Sequence, residues 1–186
     1  EGVVSVRVVA RAADEPTAHA LLEPVIRQVR ALLPEGYFGE NGESLVSATV
    51  RALLDHHKTL AVAESCTAGL LASRLAEIPG VSAALLEGAV VYSNEAKMRS
   101  CGVRAETLEK IGAVSEETAR ELAAGIRARS GADIGIGITG VAGPDGGKPE
   151  KPVGLVYLGL ATAGGTEVQR RLFAGFDRNE VRGRAA

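Results

Sequence analysis

Thr59-Leu60-Ala61-Val62-Ala63-Glu64-Ser65-Cys66-Thr67-Ala68-Gly69-Leu70-Leu71 is the stretch from which the rest of the chain can be read. Thr59 to Ala63 form a short apolar strand, Glu64 to Thr67 stop it with polar groups, and a helix carrying Leu71 and Leu75 follows as far as Pro79-Gly80. Upstream, Val46, Val50, Leu53 and Leu54 share one helical face up to His57. Downstream, Gly88 to Tyr92 is a second apolar strand ending at Ser93-Asn94, and helical character resumes from Glu95. Ser115 caps a further helix, with Glu116 and Glu117 in its first turn, a stripe of Ala119, Leu122, Ala123 and Ile126, and Gly131 past its end. Asp133 to Thr139 alternates Ile and Gly as a strand, and the loop from Gly140 to Pro152 holds four glycines and three prolines. Val153 to Ala161 and Glu167 to Ala174, split by Gly164-Gly165, form an antiparallel hairpin. Strands alternating with helices and closed by a hairpin predict an α/β fold of three layers, α/β/α, around a mixed sheet.

The ends of the chain read differently. Val3 to Val9 has the alternation of a strand, and Pro16 after Asp14 and Glu15 opens a helix bearing Leu22, Val25, Ile26, Val29 and Leu33. Pro24 inside that run should kink or split it. Pro34, Gly36, Gly39, Asn41 and Gly42 then mark a domain boundary, so residues 1–40 read as part of a small α/β module and 43–186 as the main domain. A closing, truncated helix is expected from about Asn179. The chain opens on Glu1 instead of Met, which points to a longer parent.

Composition narrows the function classes. The 186 residues are 46% hydrophobic and 24% charged, the balance of a globular protein. A net charge of -2 lacks the basic field of a nucleic-acid scaffold, and 3% aromatic residues leave few platforms for stacking bases. Nucleic acid is therefore not expected as a partner. Two cysteines, Cys66 and Cys101, build neither a disulfide framework nor a four-thiolate zinc site, and no His or carboxylate cluster has ligand spacing, so metal-free chemistry is expected. No apolar run approaches the ~20 residues of a membrane span and no signal segment is evident, which predicts a soluble, cytoplasmic protein.

Three strands stop at polar clusters followed by turns: Glu64-Ser65-Cys66-Thr67, Tyr92-Ser93-Asn94 and Thr139-Gly140. Ligands of α/β sheets bind beyond the carboxyl ends of strands, so the three ends can line one pocket. A Ser or Thr ahead of a helix ordinarily just caps it. Ser65 stands out because a strand, a Ser and a helix in succession expose a hydroxyl above the sheet, although the Gly-x-Ser-x-Gly elbow is missing. His19 lies in the first module and His56 and His57 end a helix, so a base other than His is needed. Lys97, a turn beyond Tyr92-Ser93-Asn94, can serve if burial lowers its pKa; a solvated helix lysine is the plainer alternative. Gly135-x-Gly137-x-x-Gly140 spells the dinucleotide fingerprint but lies within a strand with no helix after it. Gly143 to Lys148 is one residue short of a Walker loop, with Pro149 where Ser or Thr belongs. The surviving reading is a loop whose backbone can approach a phosphate or sugar, against the plainer one of a long surface connection.

Ala63 to Gly69, Tyr92-Ser93-Asn94-Glu95-Ala96-Lys97, Gly112-Ala113-Val114-Ser115 and Thr139 to Gly147 together resemble the CinA C-terminal domain, the nicotinamide-nucleotide amidohydrolase (NMN deamidase) family. The resemblance runs from about residue 43 to the end, and residues 1–40 resemble the end of the KH-like module of full-length CinA proteins. Ala68 departs from the family's usual Gly, adding a tolerable methyl near the hydroxyl. The resemblance implies hydrolysis of the carboxamide of nicotinamide mononucleotide to nicotinate mononucleotide and ammonia, a step of pyridine nucleotide recycling and NAD metabolism. No cofactor is implied. In that reading Ser65 is the nucleophile, Lys97 its base, Tyr92 assists proton movement and Thr139 occupies a further active-site position. Thr67, Gly69, Gly140, Ala142, Gly143 and Arg178 contact the substrate, Arg178 gripping its phosphate, with Arg182 a weaker candidate. Amides at the start of the helix after Ser65 serve as oxyanion donors. A homodimer is also implied. The competing reading is a non-catalytic nucleotide-binding regulatory module, in which Ser65 and Lys97 are structural.

Overall fold

A computed structural model describes residues 3–33 and 36–186. The chain divides into two units, residues 1–45 and 46–186. In the first, the strand expected over Val3 to Val9 does not form: these residues run without regular structure, and Val4 and Val9 are about four-fifths exposed. Alternation alone makes no strand where no neighbour supplies a ladder. The unit's helix, α1 (Glu15–Leu32), is capped by Asp14, whose carboxylate accepts from the Thr17 amide at 2.8 Å. It continues through Pro24, so the expected split is absent, and none of its residues is buried.

The second unit runs α2 (Leu45–Asp55, whose first residue belongs to the first unit), β1 (Leu60–Glu64), α3 (Leu70–Ala76), a 3-10 turn (Val81–Ala83), β2 (Leu85–Val90), α4 (Asn94–Cys101), α5 (Ala105–Lys110), α6 (Glu116–Ser130), β3 (Ile134–Gly140), β4 (Leu155–Thr162), β5 (Gly165–Leu172) and α7 (Arg178–Ala185). The five strands lie in the order β2-β1-β3-β4-β5. β1 is parallel to both β2 and β3, and the β4–β5 hairpin adds two antiparallel strands, so the sheet is mixed.

β1 is buried along its whole length, and its alternate residues serve different cores. Ala61 and Ala63 join Val91, Val103, Leu122 and Ile126 on the side of α4, α5 and α6. Leu60 and Val62 join Val50, Leu53 and Leu75 on the side of α2 and α3. A third cluster, containing Cys66, Ile138, Val156, Val181 and Ala185, seats α7 against the sheet. Helices thus cover both faces and the fold is a three-layer α/β/α sandwich.

The glycines of β3 are explained by packing. A Cβ on Gly137 would stand 2.5 Å from the Ala123 amide nitrogen, and one on Gly159 of β4 2.3 Å from the Ala119 carbonyl oxygen. Helix α6 therefore rests directly on the strand backbones, and the fingerprint spelled by Gly135, Gly137 and Gly140 reflects packing: the first two glycines lie against α6, and the third against Leu155 and Val156 of β4. The closing helix begins at Arg178, one residue before the expected start. Asp177 caps it, accepting from the Asn179 and Glu180 amides while Glu180 accepts from the Asp177 amide.

Candidate active site

Register brings three chain ends to one rim. Glu64 pairs with Val90 of β2 and with Ile138 of β3. The ladder carries on beyond β1, the Ser65 amide donating to the Ile138 carbonyl at 2.9 Å and the Val91 amide to the Glu64 carbonyl at 2.8 Å. Ser65 and Tyr92 therefore leave the sheet beside Thr139, which stays paired with Tyr157 of β4. Between β2 and β3 the chain crosses from one side of β1 to the other, the switch point at which open α/β sheets form a crevice.

The turn after Ser65 is held from below. Glu64, 1% exposed, accepts from the amides of Gly69 and Leu71 at 3.0 Å on one oxygen and of Ala72 at 2.8 Å on the other. The Leu70 amide goes to the Thr67 carbonyl. This corrects the expectation that amides at the start of the helix await an oxyanion, because a carboxylate from the strand already occupies them. Among the described residues the amides of Cys66 and Thr67 have no oxygen partner; they face the Cys66 sulfur. Ala68 (φ 52°) and Gly69 (φ 91°) are both left-handed, which costs the alanine about 1–2 kcal/mol and the glycine almost nothing.

Ser65 is 8% exposed, and its hydroxyl makes no hydrogen bond among the described residues. Because the ladder includes its amide, alternation puts its side chain on the Ala63 face, the face of α4. On α4 sits Lys97, 2% exposed, whose Nζ donates to the Tyr92 carbonyl at 2.9 Å. This is not a solvated helix lysine. No carboxylate pairs with it among the described residues, and burial holds its pKa below the ordinary lysine value; Cys66, Cys101 and Glu95 pull the other way. Burial pushes the Cys66 thiol up to about 11, so it remains a thiol at neutral pH. Ser93, by contrast, only caps α4, its Oγ accepting from the Ala96 amide at 3.1 Å.

The other predicted residues frame this pair. Tyr92 is more than half exposed, and its hydroxyl engages the Arg178 Nη2 at 2.8 Å, while its carbonyl reaches Lys97. Arg178 also donates from Nη1 to the Gly143 carbonyl at 2.6 Å. One guanidinium thus links the residues following β2 and β3, on either side of the end of β1. No carboxylate neutralises it among the described residues. Thr139 is buried, and its hydroxyl donates to the Ala113 carbonyl at 2.6 Å. Ser115 and Thr118 anchor that loop by donating to the Gly112 carbonyl at 3.0 and 2.9 Å. Gly140 pairs with Val156, and Ala142 is buried beside Cys66 and Val181. Thr67 is fully buried with an unpartnered hydroxyl; its carbonyl accepts from Arg182 Nη2 at 3.0 Å, and the Arg182 Nε is likewise unpartnered. Sequence reasoning missed Glu64 and the Gly112–Thr118 anchor. A charged residue closing an otherwise apolar strand was the available signal for the first. No metal-binding group of three His, Cys, Asp or Glu occurs among the described residues, and no helix there is long and apolar enough to cross a membrane.

Fold and rim together define a class: three-layer α/β domains in which a hydroxyl-bearing turn ends a central parallel strand and a buried lysine approaches from the helix after its neighbour. Residues 42–186 match the family described as the CinA C-terminal domain, and the chain belongs to that family. A CinA-like protein of Kosmotoga olearia is 50% identical over all 186 residues, which make up 45% of its own length. The chain thus spans about half the length of the curated relatives it matches. A CinA superfamily protein of Klebsiella pneumoniae is 40% identical in its crystal structure, with a TM-score of 0.73 over 78% of this chain and 91% of that one. The corresponding Escherichia coli crystal structure is 34% identical, with the same TM-score of 0.73 over 80% of this chain and 89% of that one.

Proposed function

We propose that this domain hydrolyses the carboxamide of nicotinamide mononucleotide, releasing ammonia and nicotinate mononucleotide, with Ser65 as nucleophile and Lys97 as general base. The observation that carries the reading is Lys97, a buried amine of lowered pKa held by a neutral carbonyl on the face shared by the free Ser65 hydroxyl. An amide is a poor electrophile, so its attack needs an activated alcohol and a stabilised tetrahedral oxyanion. Neutral Lys97 takes the Ser65 proton as Oγ bonds to the carboxamide carbon. The oxyanion meets the amides of Cys66 and Thr67, which turn to it from the Cys66 sulfur. The lysine then returns its proton to the amine as the C–N bond breaks and ammonia leaves. Water attacks the resulting ester, Lys97 takes one of its protons, and Ser65 recovers its hydrogen as nicotinate departs. The nucleotide phosphate calls for cationic and backbone donors, and Arg178, facing only neutral partners, keeps its charge for that task.

Ammonia release and nucleotide binding are measured together on the wild type and Ser65→Ala. The expected outcome is stoichiometric ammonia and nicotinate mononucleotide from the wild type. The variant should bind the substrate with similar affinity and release none. Undiminished turnover by a folded Ser65→Ala protein removes the covalent step. Binding without release by the wild type favours the regulatory nucleotide-binding module.

A further inference from the structure

The carboxylate of Glu64, 1% exposed, has no part in the chemistry above and no ion-pair partner among the described residues. Its partners are three backbone amides across a turn of four residues. Helices are ordinarily capped by the residue at their own N-terminal boundary, which satisfies the first amides without constraining what precedes it. At that boundary α3 has Gly69, which offers no side chain. The cap comes instead from the last residue of β1, so everything between strand and helix is closed into a ring whose far side is Glu64. That ring contains Ser65, Cys66, Thr67 and the left-handed Ala68. Charge-assisted bonds from amide to carboxylate are about twice as strong as neutral ones, and losing the acceptor would leave three donors at the start of α3 unsatisfied.

Resting on the reading of Ser65 as nucleophile, we propose that Glu64 is a positioning residue: its chelation of the Gly69, Leu71 and Ala72 amides sets the turn that aims the Ser65 hydroxyl and keeps the Cys66 and Thr67 amides out of the helix cap. Glu64 sits on the α3 side of β1, so it acts through backbone geometry and not on the proton affinity of Lys97. Arg178, the cation assigned to the substrate phosphate, lies outside the ring. Disturbing the ring should therefore lower kcat while sparing KM and the pH midpoint of turnover.

The test compares wild type with Glu64→Gln, which keeps the shape but puts an NH2 against amide donors, and Glu64→Asp, which keeps the charge but falls one methylene short. A displacement of about 1 Å at a reacting atom can cost roughly 100-fold in rate. The expected result is a kcat lowered by that order in both variants, with KM and the pH midpoint unchanged. Phosphonylation of Ser65 by a fluorophosphonate probe, in which Oγ bonds to phosphorus as fluoride leaves, should slow in parallel, and this readout does not depend on nicotinamide mononucleotide. If the wild type reacts with the probe but does not hydrolyse the nucleotide, the substrate assignment fails and the probe still tests Glu64. Wild-type probe rates and kcat in either folded variant would overturn the positioning role. Should Glu64→Gln fail to fold, Glu64→Asp carries the same decision. Should both fail, amide hydrogen exchange in the wild type decides: protection of Gly69, Leu71 and Ala72 no greater than that of an exposed turn overturns the proposal.

Discussion

At the scale of single residues, the decisive fact is the state of one amine. Lys97 is held below its ordinary pKa chiefly by burial, and that shift has two separable consequences. Only the neutral amine accepts a proton, so turnover should rise with pH through the lowered Lys97 value. Replacement by Met should remove activity by roughly 10²–10⁴-fold. Stability moves independently. A lysine whose pKa is lowered on folding binds its proton more tightly when unfolded, so the charged form penalises the fold. The penalty is complete below the folded value and fades as pH rises toward the unfolded value of about 10.4. Lys97→Met should therefore favour stability, relative to wild type, most at pH values below the folded Lys97 pKa, and less so toward pH 10. Thermal unfolding of both proteins at several pH values checks this; a difference that grows with pH would contradict burial as the cause. The sequence exposed Lys97 as a candidate through its distance from Tyr92-Ser93-Asn94, but spacing cannot distinguish an amine folded back onto its own helix's approach from one in water. Glu64 was illegible for a related reason: its partners lie five to eight residues ahead, and only the left-handed turn at Ala68 and Gly69 brings them back to it.

At the scale of elements, apolar runs and caps were the readable part. The strands around Ala61, Ile136 and Leu158, and the helix capped by Ser115, lie where periodicity puts them. The strand expected over Val3 to Val9 fails because alternation describes one strand's faces and says nothing about whether a neighbour exists. β2 begins at Leu85, three residues ahead of its expected start, because as an edge strand it alternates in exposure instead of reading as a continuous apolar run. The glycines of β3 show what spelling cannot reveal: they match a nucleotide fingerprint, and the cause of Gly135 and Gly137 is the close approach of α6. Gly137→Ala tests this directly. Its Cβ would meet the Ala123 nitrogen at 2.5 Å and the Ala119 oxygen at 2.7 Å, both helix backbone that no side-chain rotation can clear. A loss of about 1–3 kcal/mol is expected, the usual cost of overpacking, seen as a lower urea midpoint with an unchanged slope. An unchanged midpoint would mean that α6 can lift from the sheet without cost.

At the scale of the whole molecule, everything that builds the candidate site lies in the second unit. The three apolar clusters draw all their members from residues 46–185, whereas α1 buries none of its own residues. Ser65, Lys97, Thr139 and Arg178 are fixed by β1, α4, β3 and α7, and each of these elements is anchored in one of those clusters or in the sheet that joins them. Stability follows apolar burial, and the first forty residues contribute little of it. A protein comprising residues 42–186 should therefore unfold at nearly the same temperature as the 186-residue chain and release ammonia from nicotinamide mononucleotide at the same rate per molecule. Differential scanning calorimetry and an ammonia assay on the two proteins at equal concentration make the comparison. A markedly lower unfolding temperature with turnover lost would place part of the second unit's support in residues 1–41. Retained stability with lost turnover would instead assign those residues a role in the reaction, since an intact sheet rim would then be insufficient for it.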